Sequence, residues 1–292
     1  SVVTFSDITS RKQAEQEMVV IARQSGMRIL GPNIIGVLNT ASKMNSSWMQ
    51  LMPKAGDVSF LSQSGAFCTG VLDMSFSRNL GFYNFCSIGN KSDIDENDLI
   101  QYWYQDEKVK VIGAYLEEIG HGFDLIKFLN TQEHVKPLVL FKPGKSNEAV
   151  KAIASHTGSL AGSLEIVTTA IRQSGIVEAN TTTELISDFM AFSWSRIPKG
   201  NRVAVITNAG GPGVMATDGI MQNGLCLAEF SEATNQELKT ALPPAASIHN
   251  PVDVLGDAQA DRYLAATDII LKDPNVDLIL YIITPQYITQ IE

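Results

Sequence analysis

Cysteine is scarce in this chain: three in 292 residues, at Cys68, Cys86 and Cys226, far apart and without any C-x-x-C spacing. That pattern fits neither a disulfide framework nor a zinc site, and it points to a reducing compartment. Long apolar runs are missing too. No stretch approaches the ~20 residues of a membrane span, and no basic-then-apolar leader opens the chain, so a cytoplasmic setting with no membrane partner is expected. Positive charge is in short supply, with 22 Lys and Arg against 31 Asp and Glu, a formal net charge of -9. The balance argues against a general nucleic-acid binder, although an anion site made of backbone N–H groups would not register in that sum. There is no low-complexity tract and no short tandem repeat. What is present is 45% hydrophobic residues, enough for two domains with proper cores and a third, partial one.

Those apolar residues fall in short continuous runs: "MRILGP", "DVSFLS", "FYNFCSIG", "VKVIGAYLEE", "PLVLFK", "RVAVITNAGG", "CLAEF" and "DLILYIIT". Runs of this length without alternation suit strands buried on both faces. Between them lie helical stretches such as "EQEMVVIARQSG", "DENDLIQYWYQD" and "TTTELISDFMAFSW", the last with a possible capping box from Thr181 to Glu184. The fold class is α/β with parallel sheets. Pro, Gly and charge combine in "SRIPKGNR", Ser195 to Arg202, the best domain boundary, with a weaker one at "LMPKAGD", Leu51 to Asp57. At the ends, "SVVTFSDIT" reads as a buried strand entered in mid-domain, and "VDLILYIITPQYITQIE" as a strand followed by almost nothing. The expectation is a piece of a longer protein.

Two strand ends carry similar glycine chemistry. One runs Ser62-Gln63-Ser64-Gly65 into "AFCTGVLDM", the other Asn208-Ala209-Gly210-Gly211-Pro212-Gly213 into "VMATDGIM". Small residues there let an anion approach the free N–H groups of a helix start, where the macrodipole is favourable. The same residues could serve only the turn and its N-cap. The second turn also matches a G-x-G-x-x-A dinucleotide fingerprint from Gly211 to Ala216, with Glu229 near the ribose-binding position. A carboxylate pair, Glu117 and Glu118, follows "VIGAYL", where α/β sites are built, or where two charges simply meet solvent. One of the four histidines, His156, sits on the small-residue stretch "KAIASHTGSLAG" among Ser155, Thr157 and Ser159. A carboxylate within reach would raise its basicity and fix its tautomer.

In chain order, "GPNIIGVLNT", "GDVSFLSQSGAF", "SIGNKSDID", "YLEEIG", "SHTGSLAG", "VITNAGGPGVMA" and "PPAASIHNPVDVLGDA" together resemble the NDP-forming acyl-CoA synthetases. These are relatives of succinyl-CoA synthetase and especially of the ADP-forming acetate–CoA ligases. The likeness covers nearly the whole chain. It implies a Rossmann-like remnant at 1–52, the closing half of a CoA-binding domain, then a flavodoxin-like ligase domain carrying the phosphohistidine at 53–198. A second such domain, cut short, follows at 199–292. It implies an acid–CoA ligase that interconverts acyl-CoA, ADP and phosphate with acid, CoA and ATP, and it makes His156 the phosphoryl carrier with Glu118 orienting it. Ser62, Ser64 and Gly65 match one phosphate-holding helix start, and Asn208, Gly210 and Gly211 the other. Asn33 falls where the family meets CoA. No metal ligand is assigned in this chain; ATP or ADP with magnesium would be held by an ATP-grasp domain or subunit outside it, in an oligomer. Two other readings stay open: a CoA-sensing or regulatory module without turnover, and a nicotinamide oxidoreductase using the glycine fingerprint.

Overall fold

A computed structural model describes residues 8–146, 148–149, 171 and 173–286. The chain divides into two compact units, Ser1–Arg196 and Ile197–Glu292. In the first unit the described elements are α1 (Ile8–Gln24), β1 (Gly36–Asn39), β2 (Met44–Ser47), β3 (Ala55–Ser62), α2 (Gly65–Ser77), β4 (Phe82–Ser87) and α3 (Glu96–Gln105). They continue with β5 (Val111–Tyr115), α4 (Gly122–Asn130), β6 (Leu138–Phe141), β7 (Val177–Ala179) and α5 (Thr182–Trp194). The strands form one sheet in the order β2-β1-β4-β3-β5-β6-β7. From β4 to β7 every pairing is parallel, as the unbroken apolar runs require.

Three expectations need correcting. The edge of the sheet is antiparallel, because β1 and β2 form a hairpin and β1 also runs against β4. These strands are polar on the open side, so they lack the continuous apolar signal of two-sided burial. "MRILGP" is not a strand of the sheet: Leu30 makes a single parallel bridge to Ile94. Ile8 and Thr9, expected in a strand or loop, begin α1, while residues 1–7 lie outside the described ones. The capping box appears elsewhere as well. At α5 Thr181 Oγ1 accepts from Glu184 N–H at 3.1 Å, but Glu184 returns to Asn180. The reciprocal box caps α3, with Asp95 and Asp98 as partners.

The sheet is buried on both faces. On one, Phe60 packs against Phe85 and Phe189 at ring-centroid distances of 5.3 and 5.8 Å, beneath α2 and α5. On the other, Ile100, Trp103, Ile112 and Leu140 pack under α3 and α4. Removing each such side chain from water contributes about 1.5–3 kcal/mol. Among the described residues no helix is long and apolar enough to cross a membrane.

The second unit contains β8 (Arg202–Thr207), α6 (Gly210–Gln222), β9 (Cys226–Leu227), α7 (Glu232–Ala241), β10 (Val252–Asp253), α8 (Ala260–Ile270) and β11 (Leu278–Ile282). Its central strand β8 pairs in parallel with β9, β10 and β11. "CLAEF" thus supplies a strand of two residues only.

α1 is fastened to the first unit by two carboxylates: Glu15 of the helix accepts from Asn90 Nδ2 and Ser92 Oγ, and Asp93 holds its end. Asp93, whose side chain is fully buried, accepts from Arg23 Nη2 at 2.8 Å, Arg28 Nε at 2.9 Å and the Ile29 N–H at 2.8 Å. Burial alone would raise its pKa, but these donors outweigh it and hold the carboxyl down at about 2, below the ordinary 3.8. A depressed carboxyl contributes stability above about pH 4 and loses it as pH falls through the folded value. Asp93→Asn should therefore lower the unfolding free energy at pH 7 by about 2–3 kcal/mol, the scale of charged hydrogen bonds. Chemical denaturation from pH 7 to pH 2 checks this, and the gap to the unmodified chain should close between about pH 4 and pH 2.

Candidate functional site

The last residues of β3 and β8 make the same turn in two separate units. Ser62 Oγ donates to the Ser64 carbonyl at 2.7 Å and accepts from the Ser64 N–H at 3.2 Å. Thr207 Oγ1 does the same to Ala209, at 2.9 and 3.1 Å. Both hydroxyl residues are buried at the carboxyl ends of central parallel strands. Each turn leads straight into a helix of 13 residues, α2 from Gly65 and α6 from Gly210.

The two helix starts differ in their caps. Ser64 Oγ accepts from the Phe67 N–H at 3.3 Å, and the Phe67 ring stacks on Tyr115 at 4.1 Å and meets Phe141 at 5.1 Å. The start of α2 is thereby locked to the ends of β5 and β6. Ala209 offers no side-chain cap to α6. Among the described residues, no group accepts from the N–H of Gly65, Ala66, Gly210 or Gly211. In each unit, two outward donors at a positive dipole end suit an anion.

The glycines serve different ends. A Cβ on Gly65 would stand 2.8 Å from Ile35 Cγ2, whereas a Cβ on Gly211 would meet nothing within 4 Å. The space over Gly211 is open, so packing within its unit does not call for glycine there. Asn208 is buried, and its side chain fastens the segment after β11: Nδ2 donates to the Thr284 carbonyl at 3.0 Å, and Oδ1 accepts from the Thr284 N–H at 2.8 Å. The dinucleotide fingerprint does not fit this geometry. Its first glycine, Gly211, is already the second residue of α6, and the tight turn is made by Thr207 and Ala209 instead.

After β5 the chain enters a segment held at almost every backbone group. Gln63 Oε1 accepts from both Glu117 N–H at 2.8 Å and Glu118 N–H at 3.1 Å. Lys142 Nζ donates to the Glu117 carbonyl at 2.9 Å. Lys91 Nζ donates to the Glu118 carbonyl at 3.0 Å, and Glu96 Oε1 accepts from the Gly120 N–H at 2.8 Å. The two carboxylates then part. Glu117 is 9% exposed, so it is no solvated charge. Burial raises the Tyr115 phenol to about 12, with the Glu117 charge adding to the shift, and burial lowers the Lys142 ammonium while the same charge opposes it. Glu118 is half-buried, and among the described residues none donates to its carboxylate.

Asn33 adopts a left-handed backbone, φ 62°, and its Nδ2 donates to Asn90 Oδ1 at 3.3 Å. The "GPN" segment lies along residues 88–94: Asn90 N–H donates to the Pro32 carbonyl and Ser92 N–H to the Gly31 carbonyl, both at 3.0 Å. Only glycine fits at Gly89, where a Cβ would stand 2.2 Å from the Pro32 oxygen. His156 and its neighbours Ser155, Thr157 and Ser159 lie outside the described residues. Sequence reasoning passed over Thr207, Lys91, Glu96, Lys142 and Gln63 as functional side chains. Thr207 had a signal, because it stands two residues before its N-cap as Ser62 does.

The model of the succinyl-CoA ligase like flavodoxin domain matches residues 55–192, and that of the ligase-CoA domain matches residues 203–290. The ADP-forming acetate–CoA ligase II subunit alpha of Pyrococcus furiosus is 43% identical over 93% of this chain and 59% of that protein. The chain belongs to the NDP-forming acyl-CoA synthetases. A second member, the ADP-forming acetate–CoA ligase I of Archaeoglobus fulgidus, is 42% identical over 93% of this chain and 39% of that protein. Among solved structures, the acetyl-coenzyme A synthetase 1 of Ca. Korarchaeum cryptofilum in complex with phosphate and ADP matches with a TM-score of 0.90. It shares 37% identity, over 99% of this chain and 63% of that one. The chain thus spans less than two thirds of the length of these relatives.

The contrast between the two glutamates can be measured without any assay of chemistry. Glu117→Gln removes the charge that offsets a buried ammonium, and should lower the unfolding free energy by about 1–2 kcal/mol. Glu118→Gln alters a carboxylate that accepts no described hydrogen bond and acts on Lys142 less than Glu117 does, and should stay within about 0.5 kcal/mol. Denaturant titration of both variants decides it. Equal losses would mean that the two side chains are held alike.

Proposed function

We propose that the whole protein to which this chain belongs is an ADP-forming acid–CoA ligase. It would interconvert acyl-CoA, ADP and phosphate with a small carboxylic acid, CoA and ATP through a phosphorylated His156. The observation that carries the reading is the pair of like-built helix starts, each with unmatched N–H groups, in a member of this family. An acyl phosphate or a phosphoryl group on the histidine would gain from a dipole end of this kind. Ser62 and Ser64, with Gly65, would shape one seat; Asn208, Gly210 and Gly211 would shape the other. In this reading one ring nitrogen of His156 attacks the phosphorus of the acyl phosphate and displaces the carboxylate, while Glu118 accepts a hydrogen bond from the N–H of the other nitrogen and favours the developing positive charge. A stretch of small residues in the sequence suits a ring that must carry its load to a separate nucleotide site.

The same reading gives residues 1–52 to a CoA-binding domain, with Asn33 on the CoA, 53–198 to the phosphohistidine domain and 199–292 to the second ligase domain. The residues present fit phosphate through the N–H groups of Gly65, Ala66, Gly210 and Gly211, from which no described residue accepts. The ATP-grasp part that would bind ATP or ADP with magnesium belongs to a further domain or a partner subunit. An oligomer in the cytoplasm completes the reading. Its acid substrate is a small carboxylate.

Intact mass of the complete protein after incubation with ATP and magnesium tests this. One added phosphoryl group is expected, stable in base and lost in mild acid, as a phosphoramidate is. His156→Ala should abolish it. A group that survives in that variant would move the site to a hydroxyl such as Ser155 or Thr157. CoA binding without any phosphorylation would make the protein a sensing module instead. Gly211→Val, which meets open space, should leave thermal stability unchanged while phosphoryl transfer loses about 2–4 kcal/mol of transition-state stabilisation, the scale of one preorganised donor. Transfer at the unmodified rate would mean that this glycine serves only the turn.

A further inference from the structure

Lys91 and Glu96 form an ion pair of a costly kind. Their Nζ and Oε2 atoms are 2.8 Å apart, and their side chains are 5% and 0% exposed. Burying two charges usually stabilises a fold no better than apolar residues of similar size would. Something other than stability has to account for the pair. Lys91 takes a left-handed backbone, φ 53°, to turn its side chain inward, and Glu96 opens α3, where the helix dipole favours a carboxylate. Both residues then spend their remaining hydrogen-bonding capacity on one short segment. Lys91 Nζ reaches the carbonyl of Glu118, and Glu96 Oε1 reaches the N–H of Gly120. The pair therefore brackets Glu118 from its own carbonyl to the amide two residues on. Gln63 and Lys142 hold the other side of the same segment through the N–H of Glu117 and Glu118 and the carbonyl of Glu117.

We propose that the buried Lys91–Glu96 pair is a positioning device for Glu118. It fixes the backbone on the carboxyl side of that residue, opposite the hold of Gln63 and Lys142, so that the carboxylate, which meets no described donor, is presented in one direction. Lys91 and Glu96 touch no reacting atom; they act through Glu118. The inference rests on the phosphohistidine reading. A half-exposed glutamate on a free loop would sample many directions, and orientation is what a histidine partner supplies.

Lys91→Met alone would strand the Glu96 charge in the interior and could unfold the unit, so the decisive variant is Lys91→Met with Glu96→Leu, which removes both charges at similar volume. In the complete enzyme its melting temperature should stay within a few degrees of the parent. Its single-turnover phosphorylation rate at saturating ATP should fall at least tenfold, with the half-saturating ATP concentration unmoved. In a Glu118→Gln background the same pair of changes should have little further effect, because residues that act as a unit are not additive. A clamp variant that phosphorylates at the parent rate overturns the proposal. An equal loss in the Glu118→Gln background overturns it too, since the pair would then act through something else.

Hydrogen exchange separates the two ideas. The Gly120 amide should exchange faster in the double variant, with the centre of the sheet unchanged. If the parent enzyme takes up no phosphoryl group, the ligase reading falls. An unaltered Gly120 amide then overturns the clamp on its own, and a faster one upholds the mechanical half of the inference.

Discussion

The carboxyl edge of the first sheet depends on how residues 89–94 are threaded past residues 29–33. The two segments run so close that their backbones exchange hydrogen bonds at Gly31, Pro32 and Ile29, and the approach at Gly89 leaves no room for a Cβ. Once that close passage is fixed, three side chains of the same short loop have their directions set. Asn90 meets Asn33, Lys91 enters the interior toward Glu118, and Asp93 gathers Arg23, Arg28 and the Ile29 N–H. One glycine contact thus fixes three regions at once: the helix α1, the segment assigned to CoA and the glutamate assigned to the histidine. Packing supplies the stability of the unit, but this polar lattice supplies its alignment.

The burial pattern explains why much of this was legible in the amino-acid sequence and why part was not. Unbroken apolar runs such as "DVSFLS" and "RVAVIT" marked β3 and β8, because a parallel strand covered on both faces has no polar side to show. The hairpin of β1 and β2 escaped, since its outer strand is open to water and carries no continuous apolar run. Glycine clusters at two strand ends drew notice to both helix starts and to Ser62, yet Thr207, the hydroxyl that builds the second turn, closes an apolar run and was not singled out. The difference between Glu117 and Glu118 was legible only as alternation. Which of the two is buried depends on Lys142, which arrives from β6 and is 25 residues away in the chain. Long-range polar partners of this sort leave no local pattern.

The duplicated turn raises the question of what a buried hydroxyl does that a glycine alone would not. A strand-to-helix turn must reverse direction within about three residues, and its first N–H groups would otherwise be free to tilt. In both units the hydroxyl at the strand end bonds the N-cap residue at its N–H and its carbonyl together, which removes the hinge between strand and helix. The donors that follow, at Gly65 and Ala66 and at Gly210 and Gly211, are then aimed by the sheet itself. Aim matters for an anion seat more than number does, because a preorganised donor needs no rearrangement when charge develops near it. In this light the small residues and the buried hydroxyls have complementary parts. The first keep the space above the helix start open, and the second keep its N–H groups pointed into that space.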